Sequence, residues 1–69
     1  MNRMPVSSSN VVSVGYDQNT MTLEVEFKDG ALYQYFDVPV AVYEELVQAS
    51  SIGSFLHAHI RYNYRYDRL

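Results

Sequence analysis

The feature that most constrains the fold is a strict alternation of apolar and charged side chains over residues 23–28. The apolar positions are Leu23, Val25 and Phe27, and the charged positions between them are Glu24, Glu26 and Lys28. Side chains two apart on a strand point to the same face, so this period predicts a strand with one buried face and one solvent-facing face. The apolar face then requires other elements to cover it.

Two more strands are predicted beside the alternating segment. Residues 11–16 are rich in β-branched side chains, and a turn over 17–20 separates them from the alternating strand. Residues 31–36 form the third predicted strand, after the turn residues 28–30. Because the connections are short, the three strands are expected to form an antiparallel meander.

The spacing of apolar residues becomes helical after the strands. Pro39 suits the first position of a helix, and Val42, Leu46 and Ala49 follow on one face. Ser51 can cap a second helix. We therefore predict an α+β fold, in which a three-stranded antiparallel meander sheet carries two helices packed mainly on one face.

Length and composition indicate one small domain over residues 1–69, with residues 1–9 as a flexible polar lead-in. The chain has no cysteine for a disulfide. His57 and His59 would point about 200° apart on a helix, so we expect no metal site and no cofactor. No apolar run approaches the roughly 20 residues of a membrane span, and no signal peptide is evident. A cytoplasmic protein with no membrane partner is predicted.

Tyr33 and Tyr35 share one face of the third predicted strand, and the preceding turn decides which face that is. A two-residue turn ending at Gly30 would place Tyr33 opposite Glu26, on the solvent side. A three-residue loop with Gly30 in the left-handed conformation would place Tyr33 opposite Val25, on the core side. The three-residue loop is favoured because it gives one dense apolar face, but the sequence leaves both open.

Charge is distributed unevenly along the chain. The net charge is -3; residues 1–56 sum to -5 and residues 57–69 to +2. The C-terminal residues 61–69, which fit either a continued helix or a short strand, interleave cations with aromatic rings, as nucleic-acid binders do. In the alternative interpretation, the tail tyrosines pack on the sheet while the arginines are solvated or pair with Glu24 and Glu26. The candidate RNA-contacting residues are Arg61, Tyr64, Arg65, Arg68, Tyr33 and Tyr35.

The ordered set of motifs along nearly the whole chain resembles the KTSC domain, a short bacterial module that also occurs at the C-terminus of some lysyl-tRNA synthetases. The resemblance is carried by Ser8-Ser9-Asn10, Gly15-Tyr16-Asp17, Leu23-x-Val25-x-Phe27, Gly30-x-x-Tyr33-x-Tyr35, Val38-Pro39, Tyr43, Ser51-x-Gly53-x-Phe55-Leu56 and Ile60-Arg61-x-x-Tyr64. The chain differs from the common family pattern at His57, where asparagine is common, and at Ile52, where a polar or basic residue is frequent. The resemblance implies RNA contact through the link to a tRNA-charging enzyme, and it implies no catalytic residues.

Two functions of different class follow from these observations. The first is a non-enzymatic module that contacts RNA or tRNA through the basic and aromatic C-terminal segment. The second is a protein-interaction or self-associating module, in which Leu32, Phe36 and the tyrosine-rich tail form an exposed apolar patch. We find no motif that specifies a reaction, so we expect no enzymatic activity.

Overall fold

The computed structural model describes residues 1–69 as an antiparallel five-stranded sheet with two helices. The strands are β1 (Arg3–Pro5), β2 (Val11–Asp17), β3 (Thr22–Phe27), β4 (Leu32–Tyr35) and β5 (Tyr66–Arg68). They lie in the sheet in their sequence order, β1-β2-β3-β4-β5. The predicted α+β fold is therefore confirmed, whereas the predicted count of three strands is wrong because β1 and β5 extend the sheet at its two edges.

One edge strand lies where no strand was predicted, and the other lies where the sequence left a helix and a short strand open. β1 lies inside the expected flexible lead-in, and the Val6 N–H donates to the Val12 carbonyl at 3.1 Å just beyond it. β5 lies in the tail, which is a turn followed by a strand rather than a continued helix. Each edge strand has three residues, all exposed, so neither shows the apolar alternation that identifies a half-buried strand.

The turn between β3 and β4 is the three-residue loop. Gly30 has a φ of +91°, in the region that glycine adopts without steric cost. The Phe27 N–H donates to the Ala31 carbonyl at 2.9 Å. This loop sets Val25 opposite Tyr33, as the core-face alternative predicted.

The helices are α1 (Val40–Gln48) and α2 (Ile52–Phe55), and α2 continues as a π-helical segment over Leu56–Ile60. The predicted cap of the second helix is confirmed, since the Ser54 N–H donates to Ser51 Oγ at 3.3 Å. The π-helical segment ends with the Arg61 N–H donating to the Leu56 carbonyl at 2.8 Å, a five-residue step. No helix is long and apolar enough to cross a membrane.

The helices cover one face of the sheet, and the core lies between them. The fully buried side chains of the core are Leu23, Leu46, Ile60, Val11, Val14, Val25 and Val38. Ile52, the position at which a polar or basic residue is frequent in the family pattern, belongs to this core and is 7% exposed.

The other face of the sheet is polar except at Leu32, and Leu32 and Phe36 are half-buried rather than the exposed patch that was predicted. The centre of this face is an ion pair between Arg3 and Glu24 at 3.2 Å, and Gln34 donates to the same carboxylate at 2.9 Å.

Candidate nucleic-acid interface

A cleft of about 890 Å³ separates the helix-covered face of the sheet from α2 and its π-helical extension. We call it the aromatic cleft. Its sheet wall comprises Val11, Phe27, Lys28, Asp29, Ala31, Tyr33, Tyr35, Tyr66 and Arg68. Its helix wall comprises Ser51, Gly53, Ser54, Leu56, His57, Arg61 and Tyr62, and Ser9 and Asn10 close one end.

Three tyrosines of β4 and β5 form a contiguous aromatic surface on the sheet wall. The register sets Tyr35 opposite Tyr66, so their side chains share a face. The ring centroids of Tyr33 and Tyr66 are 5.6 Å apart, and those of Tyr35 and Tyr66 are 5.9 Å apart. Phe27 meets the Tyr33 ring edge to face at 5.5 Å, which extends the surface onto β3.

The three rings differ in how much they expose to a ligand. Tyr35 is 2% exposed, Tyr33 is half-buried and Tyr66 is 54% exposed. Burial raises the pKa of Tyr35, an effect that the nearby Arg61 charge partly opposes and that Tyr33 and Tyr66 add to. Tyr35 is therefore a neutral phenol at physiological pH. Of these three rings, only Tyr33 and Tyr66 present enough surface for stacking.

Lys28, Arg61 and Arg68 give the aromatic cleft its positive charge. The Arg68 Cζ lies 5.9 Å from the Tyr33 ring centroid, and the Arg61 Cζ lies 5.5 Å from that of Tyr62. None of the three cations has a carboxylate within salt-bridge distance. These cations are thus available to an anionic ligand.

Charge is strongly segregated over the molecule. The three cations and one carboxylate, Asp29, give the cleft lining a net charge of +2. The remaining residues carry two cations and seven carboxylates, a net charge of -5, which together reproduce the total of -3. The only basic region of an acidic protein is therefore its aromatic cleft.

The structure brings together four of the six candidate residues predicted from the sequence. Arg61, Arg68, Tyr33 and Tyr35 line the aromatic cleft. Tyr64 instead packs against the core, and Arg65 lies in a second, shallower groove. Arg65 pairs with Asp37 at 3.1 Å and lies 5.7 Å from the Phe36 ring.

Sequence reasoning missed three cleft residues that are chemically suited to the same ligand: Lys28, Tyr62 and Tyr66. Lys28 was assigned to the solvent-facing side of the alternating segment and to the turn after it, whereas the structure places it in the lining of the cleft. Tyr66 was noted among the tail aromatics, but its role depends on β5, which the sequence offered only as one of two alternatives for the tail. The pairing of tail arginines with Glu24 and Glu26 does not occur, because Arg3 occupies that position.

The aromatic cleft has no arrangement suited to metal binding. The chain has no group of three or more histidine, aspartate or glutamate side chains close enough to hold an ion. His57 instead packs against Tyr62, with ring centroids 5.5 Å apart. The side chains that line the cleft offer hydrogen-bonding groups, aromatic rings and charges to a ligand.

Comparison with known proteins gives consistent matches over most of the chain. The family model of the KTSC domain matches residues 7–64. An uncharacterized protein of Stutzerimonas stutzeri is 41% identical over 70 aligned positions, covering 100% of this chain and 99% of that protein. The lysine–tRNA ligase of Trichormus variabilis is 43% identical over 54 residues, which are 78% of this chain and 10% of the ligase. The crystal structure of a KTSC domain protein from Yersinia pestis has a TM-score of 0.94 at 35% identity, covering 99% of this chain and 96% of that one.

Proposed function

This chain belongs to the KTSC domain family, and we propose that it binds single-stranded RNA in the aromatic cleft. One observation carries the proposal: the only basic region of an acidic protein is also a cleft lined by five phenylalanine and tyrosine rings. Phosphate binding needs cations, and base binding without sequence preference needs ring faces. Lys28, Arg61 and Arg68 supply the first, while Tyr33 and Tyr66 supply the second.

The proposed binding is weak, dependent on salt and tolerant of sequence. Three cations contact few phosphates, so the electrostatic contribution is small and is reduced by added salt. Stacking on Tyr33 and Tyr66 accepts any base, because every base has a π-face. Unpaired nucleotides are favoured over a duplex, since only unpaired bases can enter a cleft and stack on side chains.

The comparisons support an RNA ligand indirectly. The segment of the Trichormus variabilis ligase that matches this chain belongs to an enzyme named for its action on tRNA. The residues that carry the family resemblance come from separate parts of the sequence, yet Asn10, Tyr33, Ser51 and Arg61 meet at one cleft. We propose tRNA as one source of the single strand, in a cytoplasmic binding module without enzymatic activity.

Titration of a fluorescently labelled single-stranded RNA tests the proposal. Arg68→Gln should weaken binding several-fold, because it removes a cleft cation that has no salt bridge in the protein. Arg65→Gln is the matched control, since it removes the same charge from a groove outside the aromatic cleft. Equal loss in both variants, or no binding by the unmodified protein at low salt, would reject the aromatic cleft as an RNA site.

Self-association through β5 is a second candidate function, and the backbone of that strand favours it. The Phe36 N–H donates to the Arg65 carbonyl, and the Leu69 N–H donates to the Leu32 carbonyl. In an antiparallel pair, every second residue of a strand hydrogen-bonds to its neighbour, so the N–H and C=O groups of Tyr66 and Arg68 point away from β4. An open edge of this kind can pair with another strand. The opposite edge is blocked in part, because Pro5 has no N–H to donate.

Sedimentation over a wide range of protein concentration separates the two functions. Edge pairing predicts a concentration-dependent dimer in the absence of RNA. A chain that stays monomeric at millimolar concentration while it binds RNA would exclude self-association and leave the first function standing.

A further inference from the structure

We propose that two copies of the chain pair through β5 in a single register, with Tyr66 opposite Tyr66 of the second copy, and that this pairing joins their aromatic clefts. The inference rests on the self-association proposed above and extends it by naming the opposing residues and the effect on the RNA site. It follows from which backbone groups of β5 are unpaired and from the charges of the side chains around them.

The outer side of β5 is free for pairing. The strand lies at the edge of the sheet beside β4, and all three of its residues are exposed. The N–H and C=O groups of Tyr66 and Arg68 point away from β4, since the residues on either side of them supply the hydrogen bonds to that strand. A second β5 that runs antiparallel can therefore bond to Tyr66, to Arg68 or to both.

Two of the three registers that bring these groups together place like charges opposite each other. Setting Tyr66 opposite Arg68 of the second copy puts Asp67 opposite its own counterpart at the two-fold axis. Setting Arg68 opposite its own counterpart pairs two guanidinium groups. Like charges directly opposite each other destabilise an antiparallel pair, and each chain already carries a net charge of -3. Both registers are therefore disfavoured.

The remaining register has complementary charges on both sides of the axis. The two Tyr66 residues exchange backbone hydrogen bonds, and Arg65 of each copy lies opposite Asp67 of the other. Arg65 and Asp67 then form a non-hydrogen-bonded pair, in which opposing side chains approach most closely. Opposite charges and aromatic pairs across strands each stabilise a sheet. Charge complementarity thus selects the register centred on Tyr66.

Arg65 and Asp67 are available for this contact in the single chain. The Arg65 side chain is 79% exposed, and its ion pair with Asp37 lies at the surface, where such pairs add little stability. Asp67 is exposed and has no ion pair. Residues two apart on a strand share a face, so both side chains project from the same side of β5.

The same register extends the aromatic cleft of each copy. Residues directly opposite in an antiparallel pair project from one face of the sheet, so both Tyr66 rings lie on the cleft side. Within one copy, the Tyr66 ring centroid is 5.6 Å from that of Tyr33 and 5.9 Å from that of Tyr35. The aromatic surface of one copy therefore continues onto the other, and the second copy contributes Tyr66 and Arg68 to the site.

Sedimentation equilibrium without RNA, at protein concentrations up to millimolar, tests the register. So short a contact should give a weak dimer, with a dissociation constant on the order of 0.1–1 mM. Asp67→Asn should weaken the dimer about three- to tenfold although it lowers the net charge, because both opposite-charge pairs are lost. Arg68→Gln is the control and should leave the constant unchanged. A dimer that Asp67→Asn strengthens would overturn the proposal, since that result requires Asp67 to face its own counterpart.

An exchange of charge tests the same contact with a mixture of variants. Arg65→Asp and Asp67→Arg should each be monomeric alone, because each sets like charges opposite each other on both sides of the axis. An equimolar mixture should form a heterodimer, since the two variants together restore both opposite-charge pairs. Circular dichroism checks that each variant is folded. A mixture that stays monomeric while both variants are folded would overturn the register.

The mixture also tests whether the clefts are joined. At equal total protein concentration, the heterodimer should bind a labelled oligouridylate at least about threefold more tightly than either variant alone, because both clefts contribute rings and cations. Heterodimers that bind no more tightly than the better single variant would overturn the joined cleft. Dimers of the natural chain that bind no RNA at low salt would instead reject the proposed RNA-binding function and leave the pairing of β5 in place.

Discussion

At the residue scale, Tyr35 shows how a motif that looks like a binding surface becomes part of the core. The turn residue Gly30 fixes the register, and the register places Tyr35 opposite Leu23 beneath the helices. Tyr35 lines the aromatic cleft, but it is 2% exposed, so almost none of its ring is open to a ligand. Tyr35 packs against the rings of Tyr33 and Tyr66, and these two rings are the ones exposed to a ligand.

Burial of Tyr35 predicts a loss of stability at alkaline pH. Its pKa is raised above the ordinary value of 10.0, so the folded state holds the phenol proton more tightly than the unfolded state does. The stabilisation is complete below pH 10 and is lost as pH rises through the folded-state pKa, with a slope of at most about 1.4 kcal/mol per pH unit from this group.

Urea unfolding between pH 7 and pH 11 measures this effect. Tyr35→Phe should show a shallower decline than the natural chain above pH 10. Some decline should persist, because burial and the Asp17 charge also raise the pKa of Tyr16. Identical slopes for the natural chain and Tyr35→Phe would contradict the buried neutral phenol.

Gly15 and Gly53 differ in the space available for a side chain, so alanine substitutions at the two positions test how closely the chain packs there. A Cβ at Gly15 would lie 2.8 Å from the Asn2 carbonyl oxygen and 2.9 Å from the Arg3 side chain. Gly15→Ala should therefore displace β1 and lower the free energy of unfolding by about 1–3 kcal/mol. A Cβ at Gly53 meets nothing closer than 3.7 Å, so Gly53→Ala should leave stability unchanged or raise it by up to about 1 kcal/mol. Thermal or urea unfolding compares the stability of the two variants. Equal destabilisation by Gly15→Ala and Gly53→Ala would contradict the close packing of β1 against Gly15.

At the element scale, sequence reasoning found the elements with a repeating pattern and missed those that depend on their neighbours. β3 follows from alternation, and the turn after it was limited by one glycine to two alternatives, of which the favoured one pairs Val25 with Tyr33 as the structure does. β1 and β5 are too short and too exposed to show a period, and they exist because β2 and β4 offer edges for pairing. The π-helical segment that precedes Arg61 has no sequence pattern that distinguishes it from an ordinary helix.

The helix cap at Ser51 provides a prediction that separates folding from binding. Ser51 caps α2 and also lines the aromatic cleft. Ser51→Ala should cost about 0.5–2 kcal/mol of stability, since the Ser54 N–H loses its acceptor. Ser51→Asp should restore the cap but place a carboxylate in the aromatic cleft.

Two measurements on the same variants check this prediction. Thermal unfolding should rank Ser51→Asp close to the natural chain and above Ser51→Ala. RNA titration should show Ser51→Asp as the weaker binder of these two variants. An aspartate variant that is as stable as the natural chain and binds RNA equally well would show that Ser51 does not face the ligand.

At the scale of the whole molecule, the proposed function depends on the segregation of charge. The sequence showed a basic C-terminal segment, but residues that are close in sequence need not share a surface of the folded protein. Folding adds Lys28 to the basic region from the middle of the chain and removes Arg65, which pairs with Asp37. The sequence therefore predicted those cleft residues that lie in one segment of the chain. It could not predict the cleft residues that come together only through strand pairing.

The salt dependence of RNA binding tests the central claim most directly. The slope of log affinity against log salt is about -0.7 per phosphate contacted on a single strand, so three cleft cations predict a slope of about -2. Arg68→Gln should reduce its magnitude by about 0.7, and Arg65→Gln should leave it unchanged. A slope near -2 that loses one contact with Arg68 alone is the predicted result. A slope near zero, or one that depends equally on both arginines, would contradict RNA binding in the aromatic cleft.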